Sequence, residues 1–282
     1  MNGLLMMAFT DRIKTKLLSY RWNALYKKNK LPEISLDEIG IRHQLFSPAF
    51  NEEICLPPYR GDESFDDFSV LFSVLYFHRP KIILELGTGY GNTTANICAH
   101  LDSHVFTVNA LPDQISGRVT TYTLTNEEIG KVYRTQGFSQ RVVQIYEDTK
   151  RMDLKKLISE KSVNFAIVDA CHDSDYVLND FLKIQPFMAP GSIVMLHDTH
   201  PSMKRHYIDS YIACMYLRKL GHNIKYIRNT SWAIWFEDDG VIRKSKIKRT
   251  LSSITASIDN LFFGRQETDL LRIRRHAKKN IP

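Results

Sequence analysis

The sequence predicts an α/β fold with a doubly wound, mainly parallel seven-stranded sheet that ends in an antiparallel hairpin. Three observations support this prediction: short apolar runs recur, segments with helical spacing separate them, and polar residues or glycines follow each run. Buried strands that alternate with amphipathic helices are typical of a parallel sheet covered on both faces. We therefore expect a core domain at 56–240, between a basic helical extension at 1–55 and a basic extension at 241–282.

Five continuous apolar runs predict the parallel strands. They are KIILEL (81–86), HVFTVN (104–109), RVVQIY (141–146), NFAIVD (164–169) and SIVMLH (192–197). Their richness in Val, Ile and Phe is typical of strands buried on both faces. Two further runs, NIKYIR and SWAIWF, flank Asn229 and Thr230 and predict the closing hairpin.

Helical patterns lie between these runs. In SDYVLNDFLKI the residues Val177, Leu178, Phe181 and Leu182 share one face of a helix. Asp173 or Ser174 is placed to cap its first turn. A longer helix is expected near 203–220.

Charge is distributed unevenly along the chain. Of its 282 residues, 43% are hydrophobic and 24% charged, which allows a substantial core and excludes a wholly disordered chain. Residues 1–30 carry 7 Lys/Arg against 1 Asp/Glu, and residues 243–282 carry 11 against 3. The basic helical pattern at 12–28 predicts docking on the core, on a partner subunit or on an anionic surface. We expect a homo-oligomer and no nucleic-acid partner.

Cysteine usage indicates a reducing compartment. Cys55, Cys98, Cys171 and Cys214 are far apart and form no CxxC pair, so free thiols and a cytoplasmic location are expected. No apolar span reaches the about 20 residues that a membrane helix needs, and no transmembrane segment is predicted.

The residues that leave the strands form the candidate site, because open α/β sheets bind ligands at the carboxyl ends of their strands. In ILELGTGYGNTT (83–94) three glycines are spaced two apart, whereas a dinucleotide turn has GxGxxG. Asn92 stands where the third glycine would be, and the carboxylate of Glu85 would repel a pyrophosphate. This pattern disfavours a nicotinamide oxidoreductase and favours a cationic nucleoside without phosphates, such as S-adenosylmethionine.

This stretch resembles the first motif of class I S-adenosylmethionine-dependent methyltransferases. FAIVDACHDSDYVLNDFLKIQPFMAPGSIVMLHDT (165–199) is similar to a branch that includes macrocin O-methyltransferase-like enzymes. The resemblance spans 56–236 and implies a Rossmann-like fold, S-adenosylhomocysteine as product, and a small-molecule hydroxyl, of sugar or natural-product type, as acceptor. The cofactor contacts expected from it are Glu85, Gly87, Thr88, Gly89, Tyr90, Gly91, Asn109, Asp148, Thr149 and Asp169.

One of these positions departs from the family. The second strand ends in Asn109, where the family has an acid that accepts hydrogen bonds from the ribose hydroxyls. An amide accepts without the charge, so weaker binding is expected unless Asp113 substitutes. The loop at 56–65, with Tyr59 and Arg60, is a further candidate for substrate contact.

An acceptor hydroxyl must lose its proton, so a general base or a metal is expected. The resemblance implies Mg²⁺ ligands at Asp169 and Asp198. His197 stands where some relatives have a second acid and completes the expected metal set. Because Mg²⁺ prefers oxygen ligands, this exchange predicts either a weaker magnesium site or a softer metal. His172 is the expected base, and His197 or His200 would support the others. Catalysis through His172 without a metal stays open.

Two rival functions share this fold. Methyltransferases that act on base amines often have a Pro-Pro-Tyr sequence after the fourth strand, which receives a flipped base by stacking. Here the residues are DACH (169–172), so a nucleic-acid substrate is disfavoured. A catalytically silent assembly module is the other rival, favoured by Asn109 and the basic ends.

Overall fold

The computed structural model describes residues 26–50, 67–115, 123–201 and 208–237. All of these lie within residues 1–241, one of the two units into which the chain divides; the other, 242–282, lies outside the described residues. Most of both predicted basic extensions and the loop with Tyr59 and Arg60 also fall outside them. The proposed domain bounds therefore stay a prediction.

The described residues form one eight-stranded sheet, and the predicted fold class is confirmed. Its strands are β1 (Glu33–Ile34), β2 (Ile82–Leu86), β3 (His104–Asn109), β4 (Val142–Tyr146), β5 (Val163–Val168), β6 (Met188–Leu196), β7 (Lys225–Ile227) and β8 (Ala233–Phe236). Their spatial order is β1-β7-β8-β6-β5-β2-β3-β4. Strand β8 runs antiparallel to both β6 and β7, and every other pair is parallel. The strand beyond the predicted seven is β1, a two-residue addition at the β7 edge.

Within the described ranges, five α-helices lie between consecutive strands. They are α1 (Asp67–His78), α2 (Asn92–His100), α3 (Lys131–Thr135), α4 (Ser174–Ile184) and α5 (Ile208–Lys219). The predicted helix at 174–184 is confirmed with these bounds, and Asp173 occupies its N-cap position without a side-chain capping bond. None of the helices in the described ranges has the length and apolar character needed to cross a membrane.

Both faces of the central strands are buried. Ile83 and Phe165 pack in the core that α1 and α2 cover. Leu84 and Ala166, which point to the opposite face, are also wholly buried. This two-sided burial explains why the strands read as continuous apolar runs.

The strand register brings the candidate residues to one edge. Leu86 pairs with Val168, which in turn pairs with Leu196. The backbone N–H of Asp169 donates to the carbonyl of Leu86 at 2.8 Å, and that of His197 donates to the carbonyl of Val168 at 3.0 Å. The ends of β2, β5 and β6 therefore lie side by side.

Candidate active site

A cavity of about 330 Å³ lies at this edge of the sheet. It is lined by Gly87, Thr88, Gly89, Tyr90, Asn92, Thr93, Val108, Asn109, Ala110, Ile115, Leu124, Glu147, Asp148, Thr149, Asp169, Ala170, Cys171, His172, Tyr176, His197 and Asp198. Four of these residues are acidic, and the described lining contains no lysine or arginine. The cavity thus suits a ligand whose charge is positive rather than negative.

The glycine turn forms one wall and joins two strand ends. Gly87 has φ +106°, and a Cβ at this position would lie 2.1 Å from the backbone oxygen of Asp169. Only glycine permits that approach. Gly91, with φ +84°, is the N-cap of α2 and is not among the lining residues.

Glu85 lies beneath the turn rather than in the cavity lining. Its carboxylate accepts hydrogen bonds from the hydroxyls of Thr94 and Thr107, the second at 2.6 Å. Burial raises the pKa of Glu85 to about 7, although both hydroxyls act in the opposite direction. Side chains alternate between the two faces of a strand, and that of Glu85 points to the face of the sheet that α2 covers. The place of Glu85 therefore indicates support of the turn.

Asn109 supports the same turn from β3. Its side-chain oxygen accepts from the backbone N–H of Gly89 at 3.1 Å, and its amide nitrogen donates to the carbonyl of Ala110 at 3.0 Å. Asn109 also lines the cavity. Asp113, the expected substitute, is exposed and is not among the lining residues.

The residues after β4 close the other end of the cavity. The buried carboxylate of Asp148 accepts from the Tyr176 hydroxyl at 3.3 Å and from the backbone N–H of Lys150 at 2.9 Å. Thr149 is also buried, and its carbonyl accepts from Lys183 Nζ at 2.6 Å. These contacts fix a polar wall at this end of the cavity.

Asp169, His172 and Asp198 converge at the ends of β5 and β6. One ligand atom from each lies within 4.8 Å of the others, a spacing that could hold a metal ion. His172 Nδ1 is 3.1 Å from Asp198 Oδ2. Asp198 has φ +53°, in the left-handed region that non-glycine residues seldom adopt outside constrained sites.

His197 lies beside this group and faces three carboxylates. Its Nδ1 is 3.1 Å from Asp169 Oδ1 and 3.6 Å from Asp198 Oδ1. Its Nε2 is 3.7 Å from Asp67 Oδ2. Burial alone would lower the pKa of His197, but the adjacent carboxylates outweigh burial and hold the pKa well above its usual value.

The two strand-end carboxylates respond differently to this surrounding. Desolvation raises the pKa of Asp169, but His197 and His172 outweigh it, so the net shift is downward. For Asp198 desolvation, together with the nearby carboxylates, prevails over the histidines and raises the pKa. The negative charges of two ionised carboxylates at this spacing would repel each other, which disfavours ionisation of both. The two pKa values therefore shift in opposite directions.

Residues 84–199 match the sequence model of a family described as a methyltransferase domain. They hold the glycine turn and the strand-end residues described above. Residues 84–199 therefore form a methyltransferase domain. The prediction of a methyltransferase is confirmed by this match.

Solved structures show only distant likeness to the methyltransferase domain and its surroundings. A proposed O-methyltransferase from Klebsiella pneumoniae is 14% identical, with 65% of this chain and 84% of that chain covered and a TM-score of 0.44. The O-methyltransferase TomG from Streptomyces achromogenes, solved with S-adenosylmethionine, is 12% identical over 60% of this chain and 78% of that chain, with a TM-score of 0.43. A proposed rRNA methylase from Clostridium thermocellum is 10% identical over 60% of this chain and 95% of that chain, with a TM-score of 0.46. No curated protein sequence matches the chain significantly.

Most of the predicted site residues of the methyltransferase domain line one cavity. The exceptions are Glu85 and Gly91, which support the turn from outside the lining, the exposed Asp113, and His200, whose ring centroid lies 6.2 Å from that of Tyr226. The sequence predicted Asp169, Asp198 and His197 as metal ligands. In the structure, the group with metal-binding spacing contains His172 instead of His197. The reason is that the His197 ring faces Asp67 and Asp169 on its two nitrogens.

Several residues of the site were not predicted from the sequence, among them Glu147, Tyr176 and Asp67. Glu147 directly follows the run RVVQIY, so its position at a strand end was a usable signal. Tyr176 lies on α4, directly before Val177 of the predicted apolar stripe. Asp67 reaches the site from the start of α1, and no local pattern connects it to the end of β6.

Proposed function

We propose that the methyltransferase domain transfers a methyl group to a hydroxyl oxygen of a small molecule of the sugar or natural-product type. The observation that carries this proposal is the convergence of Asp169, His172 and Asp198 on the cavity that the glycine turn forms. S-adenosylmethionine, when bound, supplies a methyl carbon activated by a sulfonium. The chain must hold this ligand, align the acceptor oxygen and take up its proton.

The charge of the cavity supports the choice of cofactor. Glu147, Asp148, Asp169 and Asp198 all contribute to the described lining, which has no lysine or arginine. A sulfonium and an ammonium are attracted by this set, whereas a dinucleotide's two phosphates are repelled. The cavity volume of about 330 Å³ also lies in the range of small-ligand sites.

His172 is the proposed general base. Its Nδ1 faces Asp198 Oδ2 at 3.1 Å, and a carboxylate in that place orients the ring with Nε2 as the proton-accepting atom. As the acceptor oxygen bonds to the methyl carbon, the carbon–sulfur bond breaks and its electron pair stays on sulfur. The hydroxyl proton passes to His172 Nε2. A base in this role contributes about 10² to 10⁴ in rate.

The same residues fit a metal ion. Asp169, His172 and Asp198 would hold it, and a bound cation would lower the pKa of a coordinated hydroxyl. Two carboxylates and one imidazole are a donor set that favours Mn²⁺ or another transition metal over Mg²⁺, which prefers oxygen ligands. His172 cannot serve as ligand and as base together. A metal requirement and a His172 base are therefore alternative forms of the proposal.

Three further predictions belong with this proposal. We expect a small-molecule rather than a nucleic-acid acceptor, a homo-oligomer, and a cytoplasmic location. The described cysteines Cys98, Cys171 and Cys214 are free thiols, which fits a reducing compartment.

Transfer of a labelled methyl group tests the proposal. Purified protein would be incubated with methyl-labelled S-adenosylmethionine and panels of sugars, phenols and macrolides, with and without Mn²⁺, and in parallel with total RNA. We expect label in a hydroxyl compound, loss of about 10²-fold or more in His172→Gln, and no loss in the exposed control His104→Gln. Label in RNA, or on nitrogen of the product, would contradict the proposal. An unchanged rate in His172→Gln would remove His172 from the chemistry.

A further inference from the structure

The ring of His197 connects the end of the sheet to helix α1. Nδ1 is 3.1 Å from Asp169 Oδ1, and Nε2 is 3.7 Å from Asp67 Oδ2. The imidazole is planar and rigid and is attached to the backbone through Cβ, so a contact that restricts one nitrogen also restricts the other. A group that fixes Nε2 therefore also fixes what Nδ1 offers to Asp169.

Asp67 is itself held in place. Its Oδ1 accepts from the backbone N–H of Ser231 at 2.8 Å, and its backbone carbonyl accepts from Trp232 Nε1 at 2.9 Å. Burial would raise the pKa of Asp67, but its contact with His197 outweighs burial and lowers it. The carboxylate is thus a fixed anion between the loop before β8 and the histidine ring.

Trp232 closes a further side of the histidine. The two ring centroids are 4.3 Å apart, with their planes at 56°. Trp232 is buried, so its ring cannot move aside easily. Rotation of His197 would have to break its contacts with Asp67 and Asp169 and also displace this packing.

The arrangement serves the neighbouring carboxylates. Asp169 and Asp198 end adjacent strands and would repel each other in a partly buried site. Nδ1 of His197 lies 3.1 Å from Asp169 Oδ1 and 3.6 Å from Asp198 Oδ1, so the position of the ring sets the direction of the Asp169 carboxylate. A freely turning ring would not set that direction.

We propose that Asp67 is a positioning residue for methyl transfer, which holds His197 so that its ring orients the Asp169 carboxylate at the acceptor end of the cavity. The role rests on the proposed function, because it concerns the residues assigned to that reaction. It does not require contact between Asp67 and substrate or cofactor. Asp67 is not among the residues that line the cavity.

The first test measures the orientation of the ring without any turnover. Asp67→Asn keeps the size of the side chain and an acceptor for Ser231, and Asp67→Ser keeps only a short polar group. The ring CH resonance of His197, assigned by its loss in His197→Gln, would be followed by NMR at one pH. The ring current of Trp232 contributes to the chemical shift of this resonance. We expect the chemical shift to change in both Asp67 variants and to remain unchanged in the exposed control Asp102→Asn. A resonance that stays in place in both Asp67 variants would overturn the proposal.

The second test separates positioning from general structural damage. With the hydroxyl compound found by label transfer, Asp67→Asn should lower kcat by about 10- to 100-fold and leave KM for S-adenosylmethionine and the melting temperature nearly unchanged. The double variant Asp67→Asn/His197→Gln should be no slower than His197→Gln, since one residue acts through the other. Multiplied losses in the double variant, or an unchanged kcat in Asp67→Asn, would overturn the proposal.

The two tests also distinguish this inference from the proposed function. If the unsubstituted protein labels no hydroxyl compound, the proposed function fails, and the NMR result still decides whether Asp67 orients His197. If the unsubstituted protein is active and the NMR signal is insensitive to Asp67, only the positioning role fails.

Discussion

The two ends of the cavity are built in different ways. At the glycine turn, neutral hydrogen bonds and backbone geometry do the positioning: Asn109 holds the N–H of Gly89, and Gly87 lies against the backbone of Asp169. At the ends of β5 and β6, charged side chains face one another, with His197 between carboxylates at 3.1, 3.6 and 3.7 Å. The first end therefore depends on backbone geometry, and the second depends on charged side chains.

This difference predicts separable effects of substitution. Changes at the glycine turn should act on cofactor affinity and on stability, because backbone geometry is at stake there. Changes at the charged end should act on turnover while cofactor affinity persists.

The largest effect is expected for Asp169→Asn. The amide removes the charge that pairs with His197 at 3.1 Å and a ligand of the candidate metal group. We expect turnover to fall by about 10³-fold while affinity for S-adenosylhomocysteine changes only a few-fold. Steady-state rates and calorimetric titration of this variant and of Asp102→Asn measure both quantities. Equal losses of affinity and turnover would contradict the prediction that the charged end acts on turnover and not on cofactor affinity.

Gly87→Ala should have the next largest effect. The new Cβ would lie 2.1 Å from the Asp169 carbonyl oxygen, in a backbone with φ +106°. Overpacking and backbone strain together should cost about 3 kcal/mol of unfolding free energy and weaken cofactor binding. Gly137→Ala, at φ +78° with no atom within 4 Å of the added Cβ, is the matched control for backbone strain alone. If both variants lose the same stability in denaturant titrations, the close approach at Gly87 is not limiting.

Glu85→Gln tests the buried support of the turn through pH. The pKa of Glu85 is about 7 in the folded chain against 4.5 as the ordinary value, so the folded state binds a proton that the unfolded state has released. This group therefore lowers stability as pH rises from about 4.5 to about 7, after which its effect is constant. At pH 8 the variant should gain up to about 3 kcal/mol relative to the unsubstituted chain, and at pH 4 little. Thermal unfolding across this range, with exposed Glu160→Gln as control, measures the difference. A constant difference at all pH values would contradict the assignment.

The smallest effect is expected for Asn109→Asp. The carboxylate can still accept from Gly89 and adds a charged acceptor for the ribose hydroxyls that the resemblance places here. Charge-assisted bonds are stronger than neutral ones, so affinity for S-adenosylhomocysteine should rise by about 3- to 10-fold. Calorimetric titration decides the sign, with Asn223→Asp as the exposed control. A fall in affinity would mean that the neutral amide is needed to hold the turn.

Local patterns predicted most of the fold for a physical reason. Strands buried on both faces leave continuous apolar runs, and the five runs quoted from the sequence all lie on β2 to β6. Strand β1 has only Glu33 and Ile34, too short for any periodicity, and its place depends on pairing with β7. Pairing with β7 stabilises this edge strand, and its two residues are too few to form a recognisable pattern in the sequence.

The site was predictable where it follows strand ends and not where it depends on side-chain direction. Asp169, His172 and Asp198 follow β5 and β6, so their meeting could be inferred from parallel topology. The inward direction of Glu85 and the two-sided contacts of His197 depend on packing against α1 and α2. Asp67 enters from a distant part of the chain, and only the tertiary structure brings it within 3.7 Å of His197.

Calorimetric titration of the purified chain with S-adenosylhomocysteine decides whether the cavity binds the methyl donor. It would be run with and without Mg²⁺ or Mn²⁺ and beside NAD. The acidic cavity and the glycine turn predict saturable binding of S-adenosylhomocysteine and no response to NAD. No binding at millimolar S-adenosylhomocysteine, or binding of NAD, would contradict the assignment of this cavity to the methyl donor.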